Sequence, residues 1–190
     1  MLFRSEFVEQ APRTQAGLSL VKSNYAEASR EVERAVELLE KWGFPVGRVM
    51  SIPNAVPGGD PGQQPTWRST AFYQLLSKAK REQLEQTAAE MLYLLAEVVA
   101  QSREEKGDQR QATNKALSVN LLTISCFDSV QIPPAVWEQR ARLLALIGEQ
   151  DQAHQARLQA QANVESSGIQ DRFQALAELF DQNQEAADRK

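Results

Sequence analysis

The chain has 190 residues, 42% hydrophobic and 24% charged, which is the length and composition of one globular domain or two small ones. Its net charge of −4, with both signs interspersed, gives it no electrostatic reason to seek nucleic acid or an anionic membrane surface. A single cysteine excludes an internal disulfide framework, MLFRSEFVEQAPR has no signal-peptide core, and the longest apolar runs, MLYLLA and LLALI, are too short to span a bilayer. A cytoplasmic protein is therefore expected.

In chain order the pattern is almost entirely helical. Residues 24–42 place Tyr25, Ala28, Val32, Ala35, Val36 and Leu39 at a 3.6-residue period, with charges opposite. Asn24 suits an N-cap, and Gly43 followed by Pro45 suits a stop. Residues 43–65 hold five prolines and five glycines and read as a loop or linker rather than regular helix. Val46, Val49, Met50 and Ile52 supply enough apolar material to dock part of it. A short helix is expected over 67–76, then a long one over 78–105 burying Leu84, Met91, Leu92, Leu95, Val98 and Val99. Gly107 breaks it, within an exposed polar turn spanning 103–115, and a partner helix runs over 108–127. After the break at IPP, helices over 134–147 and 150–165 follow, and a last one covers 169–187. No segment alternates as a strand would. The whole reads as one all-α domain over 1–190. It divides into a first hairpin (1–42), a Pro/Gly-rich loop (43–66), a short helix with a long hairpin (67–128), a second hairpin (133–166) and a terminal helix (169–190).

Small residues recur at fixed offsets. From Ala141, Gly148 lies seven on, Ala153 twelve and Ala160 nineteen; from Ala100, Gly107, Ala112 and Val119 fall at the same steps. From Ala16 the matching residues are Ser23, Ala28 and Ala35. Such spacing suits antiparallel helix pairs in close contact, with a small residue at each crossing and glycine at the turn. A large side chain in place of one of these alanines should overpack the pair, at about 1–3 kcal/mol. One pair cannot bury its apolar face alone, so the units would stack.

This pattern resembles the tetratricopeptide repeat family. Trp137, Ala141, Gly148, Ala153 and Ala160 match its aromatic, its small first-helix residue, its turn glycine and its two small second-helix residues. Ala16, Tyr25, Ala28 and Ala35 match a first unit, whereas Val119 departs from the pattern in the unit that starts at Ala100. PPAVWEQRARLLALIGEQDQAHQARLQAQA and WRSTAFYQLLSKAKREQLEQTAAEMLYLLAEV also look like repeat regions of large bacterial serine/threonine protein kinases. The kinase motifs themselves, a Gly-rich loop, HRD and DFG, do not occur. The resemblance implies a right-handed α-solenoid of stacked hairpins. It also implies a regulatory or scaffolding part in a signalling protein.

Residues able to carry chemistry are few. His154 is the only histidine and reads as a partly exposed helix residue, while Cys126 at the end of an apolar helix reads as a buried small hydrophobe. GGDPG lacks the Lys-Ser/Thr of a phosphate loop. Glu33, Glu37 and Glu40, and likewise Glu82, Glu85 and Glu90, read as solvated faces among Lys and Arg. No catalytic residue, cofactor or metal site is expected.

The resemblance implies a concave groove lined by the first helices of successive units. The positions it assigns there are Arg13, Gly17 and Leu20, then Glu97, Gln101 and Glu104, then Glu138, Arg142 and Ala145, and last Arg172, Leu176 and Leu179; of these Arg13, Glu97, Gln101, Glu138, Arg142 and Arg172 are the candidate binding residues. The Lys/Asn set with which the family clamps a C-terminal carboxylate is missing. The expected groove is mixed and mildly acidic, suited to a partly basic segment of a protein or peptide partner. The expected function is a non-catalytic protein-interaction scaffold. A small-molecule sensor or enzyme domain using a cleft between helix pairs is the alternative, and a self-associating structural region a third reading.

Overall fold

A computed structural model describes residues 12–15, 25–51, 66–101, 109–127, 132–162 and 168–188. All regular structure among them is helical. After a helical turn at 12–15 come α1 (Tyr25–Lys41), α2 (Val46–Ser51), a 3₁₀ turn (Thr66–Ser69), α3 (Ala71–Gln74), α4 (Lys78–Gln101) and α5 (Gln109–Ser125). The remaining helices are α6 (Pro134–Leu146), α7 (Gln150–Ala162) and α8 (Gly168–Asp188).

The molecule is organised around α4. Nine consecutive residues, Met91 to Val99, are buried, as expected of a helix covered on all sides. It pairs with α5 and also packs against α1 and α8. The helix α6 lies on α5, pairs with α7 and receives α8. Phe173 fixes α8 in place. Fully buried, its ring sits edge-on to Tyr93 of α4 at 5.4 Å and to Phe127 at 5.7 Å.

In the α6–α7 pair the recurring small residues are buried; Ala16, Ser23 and Gly107 lie outside the described residues. Ala141, Ala153, Ala156 and Ala160 are buried along the α6–α7 pair. Gly148 turns the chain with φ +88°, the left-handed conformation that disfavours a Cβ. Its N–H donates to Ala145 O at 3.1 Å, and that of Glu149 reaches Leu144 O at 3.0 Å, which satisfies carbonyls at the end of α6. Gly43 ends α1 in the same way. Its φ is +90°, with Gly43 N–H to Glu40 O at 2.9 Å and Phe44 N–H to Leu39 O at 3.0 Å.

The Pro/Gly-rich segment departs from expectation at its start. Val46–Ser51 is a helix that packs on α1 and α5. The prolines permit it: Pro45 stands just before the first residue and Pro53 lies beyond the last, so no helical N–H is lost. Phe44 and Val46 are buried and anchor it. Residues 52–65 of that segment lie outside the described residues, as does most of the first helix of the first hairpin. Gln109–Lys115 begin α5, as the helix expected over 108–127 requires, and do not extend the exposed turn: Thr113 is buried, its hydroxyl donating to Gln109 O at 2.8 Å.

The 3₁₀ turn and α3 are clamped between α4 and the end of α5. Trp67 is buried, stacked on Phe44 at 4.4 Å and edge-on to Tyr73 at 5.2 Å. Arg68 Nη2 donates to Cys126 O at 3.2 Å. Arg68 Nε and Tyr73 Oη both donate to Glu85 Oε1, at 3.0 and 2.6 Å. Glu85 therefore does not belong to a solvated face. Burial first, and then the Glu85 carboxylate, push the Tyr73 phenol up from 10.0 to about 12. Among the described residues no helix is long and apolar enough to cross a membrane.

Candidate functional site

The apolar run MLYLLAEVVA carries one carboxylate, Glu97, into the centre of the fold. Its side chain is only 4% exposed. A charge so deeply buried must be matched by partners, since its desolvation is not otherwise recovered. Two groups from α6 supply the match. Gln139 Nε2 donates to Glu97 Oε1 at 2.8 Å, and Arg142 forms a charge-assisted hydrogen bond to the same oxygen through Nη2.

Gln139 is itself held from two sides. Its Nε2 also donates to the Tyr93 carbonyl at 3.0 Å, and its Oε1 accepts from Asn120 Nδ2 of α5 at 2.9 Å. Asn120 Nδ2 reaches the Val136 carbonyl too, at 3.0 Å. Both of those contacts are with acceptors, so the amide orientation is determined by its surroundings. A buried polar chain thus runs from α5 through α6 to α4 and ends at Glu97. It fixes three helices in register and holds Arg142 in place from behind.

Arg142 is 47% exposed at the mouth of a cleft of about 200 Å³. Tyr93 and Glu97 of α4, Ala135, Glu138, Gln139 and Arg142 of α6, and Ala177 of α8 line the cleft. Glu138 is exposed one helical turn before Arg142, hence on the same side of α6. No ion pair reaches Glu138 among the described residues.

Of the six candidate binding residues, the structure brings together Glu97, Glu138 and Arg142. Glu97 forms the buried floor rather than an open position. Arg172 lies on the same face of α4 but further back, where its Nη1 donates to Glu90 Oε1 at 3.3 Å. Glu90 also accepts from Gln15 Nε2 at 3.0 Å and Gln86 Nε2 at 3.3 Å. Its side chain is largely buried, which corrects its reading as part of a solvated face. Arg13 borders a separate depression of about 450 Å³ with Glu31, Arg34, Glu37 and Lys41, next to α1. Gln101 is exposed at the end of α4 and does not line the cleft. The docked start of the Pro/Gly segment lies on α1 and α5, also away from it.

Sequence reasoning missed Gln139, Asn120 and Glu90. For the first two a signal existed: each polar amide interrupts an apolar pattern, in SVNLLTI and in VWEQRARLLAL. Glu90 carried none, because Gln15 and Arg172, which cover it, come from 75 and 82 residues away in the chain.

The cleft's chemistry is that of charge and hydrogen bonding. Cys126 is buried elsewhere and its thiol is pushed up by burial, which keeps it protonated and inert. His154 is exposed on α7. Among the described residues no three of His, Cys, Asp and Glu stand close enough together to hold a metal ion. No protein-family model matches the chain, and comparison with curated proteins and with solved structures finds no significant match.

Proposed function

We propose that this protein is a non-catalytic interaction scaffold that binds a segment of a protein partner at the cleft between α4, α6 and α8. The observation that carries the proposal is Arg142. It is half exposed, yet anchored to a buried carboxylate that a three-helix amide chain holds in turn. The anchored pair holds the wall of the cleft, with Glu138 exposed beside it, in a fixed geometry, and a preorganised site binds without first losing side-chain freedom. On this reading α4/α5 and α6/α7 are successive tetratricopeptide-like hairpins of an α-solenoid, and α8 begins the next unit. Gly148 at the turn and the buried Ala141, Ala153 and Ala160 support that arrangement. The resemblance to kinase-associated repeats makes a regulatory region of a signalling protein the favoured setting, with no cofactor required.

Capture of partners from a lysate of the source cells tests the scaffold. Wild type is compared with Glu138→Arg, and any captured protein is then purified and rebound to both. Glu138 is the position to reverse, because it is exposed and has no structural partner among the described residues. Reversing Arg142 would strand Glu97 and confuse binding with folding. Binding by wild type that weakens at least about tenfold in the variant supports the reading. A partner that binds both equally, or none at all, overturns it.

A further inference from the structure

The cleft contains two carboxylates, Glu97 and Glu138, and one cation, Arg142. Arg142 is already committed to Glu97, the more deeply buried of the two. Glu138 remains as the surplus charge, on the same side of α6 and exposed. An acidic group entering here would meet two carboxylates against one guanidinium; Arg142 spends one N–H on Glu97 and has others to offer, but the surplus negative charge of the cleft opposes an anion. A basic group meets Glu138 directly and leaves the Glu97 pair intact. The sign of the ligand follows from that asymmetry.

Size and lining narrow it further. About 200 Å³ is room for one side chain, not for a helix or a folded edge. Ala135 and Ala177 present methyl groups on α6 and α8, and Tyr93 adds a ring edge-on to Phe173. Lysine and arginine combine an apolar stem suited to such walls with a charged head that reaches a rim carboxylate. We infer that the cleft receives one basic side chain, a Lys or Arg of a partner polypeptide, with its stem against Ala135 and Ala177 and its head on Glu138. The inference rests on the scaffold reading and specifies its ligand.

The test uses the full chain and short capped peptides of Gly-Arg-Gly, Gly-Lys-Gly, Gly-citrulline-Gly and Gly-Glu-Gly. Titration is followed by backbone amide shifts. The Arg and Lys peptides should move the amides of Ala135, Glu138, Gln139 and Ala177. Their dissociation constants should be on the order of millimolar or weaker, as one rim ion pair and a buried stem allow. Citrulline keeps the shape of arginine without its charge. It should bind about three- to tenfold more weakly, and Glu138→Gln should weaken the Arg and Lys peptides by a similar factor. Added salt should reduce the difference. Equal binding by citrulline, tighter binding by the Glu peptide, or indifference to Glu138→Gln would overturn the assignment. So would shifts confined to other surfaces, or no shifts with any peptide. The partner-capture experiment separates the two claims. Captured partners with no basic-peptide site leave the scaffold standing and remove its ligand class. A basic-peptide site without any protein partner does the reverse.

Discussion

Replacing Arg142 by methionine isolates the ion pair that anchors the cleft. Methionine keeps most of the aliphatic stem and removes the guanidinium. Breaking a fully buried pair costs about 3–5 kcal/mol, whereas an exposed pair contributes about 0–1 kcal/mol. Here the carboxylate is buried but the guanidinium is 47% exposed, so solvent screening discounts the larger figure. Glu97 also keeps its hydrogen bond from Gln139 in the variant. Together these place the loss at about 2 kcal/mol. For a chain of this length that is a fall in Tm of roughly 4–8 °C. The assay is thermal and urea unfolding followed by far-UV circular dichroism, repeated in a Glu97→Gln background. There the carbonyl still accepts from Gln139 but no charge is stranded, so Arg142→Met should cost less than about 0.5 kcal/mol. An equal cost in both backgrounds would refute the reasoning, since the loss would then come from packing and not from the pair.

Tyr73 should ionise near pH 12. In a tyrosinate absorbance titration, Tyr73→Phe should remove a step at that pH. The sign for stability follows. As pH rises above 10 the phenol ionises in the unfolded chain but not in the fold, so the stability it contributes is lost between about 10 and 12. Cys126 should resist alkylation in the native protein and react promptly in denaturant; rapid native labelling would contradict its burial. Gly148→Ala should cost about 1 kcal/mol in denaturant unfolding although nothing lies within 4 Å of the new Cβ, because the backbone there has φ +88°. Gly168→Ala, equally open but without positive φ, should be neutral or slightly stabilising.

Helices and their limits were readable from local patterns because apolar period, glycine stops and proline breaks are local signals. The small residues of the α6–α7 pair were readable for the same reason. Glu97, Glu138 and Arg142 were placed in one groove through the repeat resemblance, and the structure does bring them together. What could not be read was which helix covers which face. Glu85 and Glu90 alternate with Lys, Arg and Gln much as surface residues do, yet Tyr73 and Arg68 cover the first and Gln15 and Arg172 the second. Periodicity reports that a helix has two faces, not what arrives from 80 residues away. The helix at Val46–Ser51 was hidden for another reason. The density of proline and glycine over 43–65 concealed a stretch, 46–51, that contains no proline at all.

The route of α8 bears on how the molecule comes apart. In a row of helix pairs that touch only their neighbours, unfolding can begin at one end and peel inward. Here the last helix reaches past its predecessor to α6 and α4, and Phe173 wedges between rings that belong to earlier parts of the chain. Removing α8 therefore uncovers the central helix as well as the end of the row. Loss of the terminal helix is coupled to loss of the middle, so denaturation should be all-or-none rather than stepwise fraying.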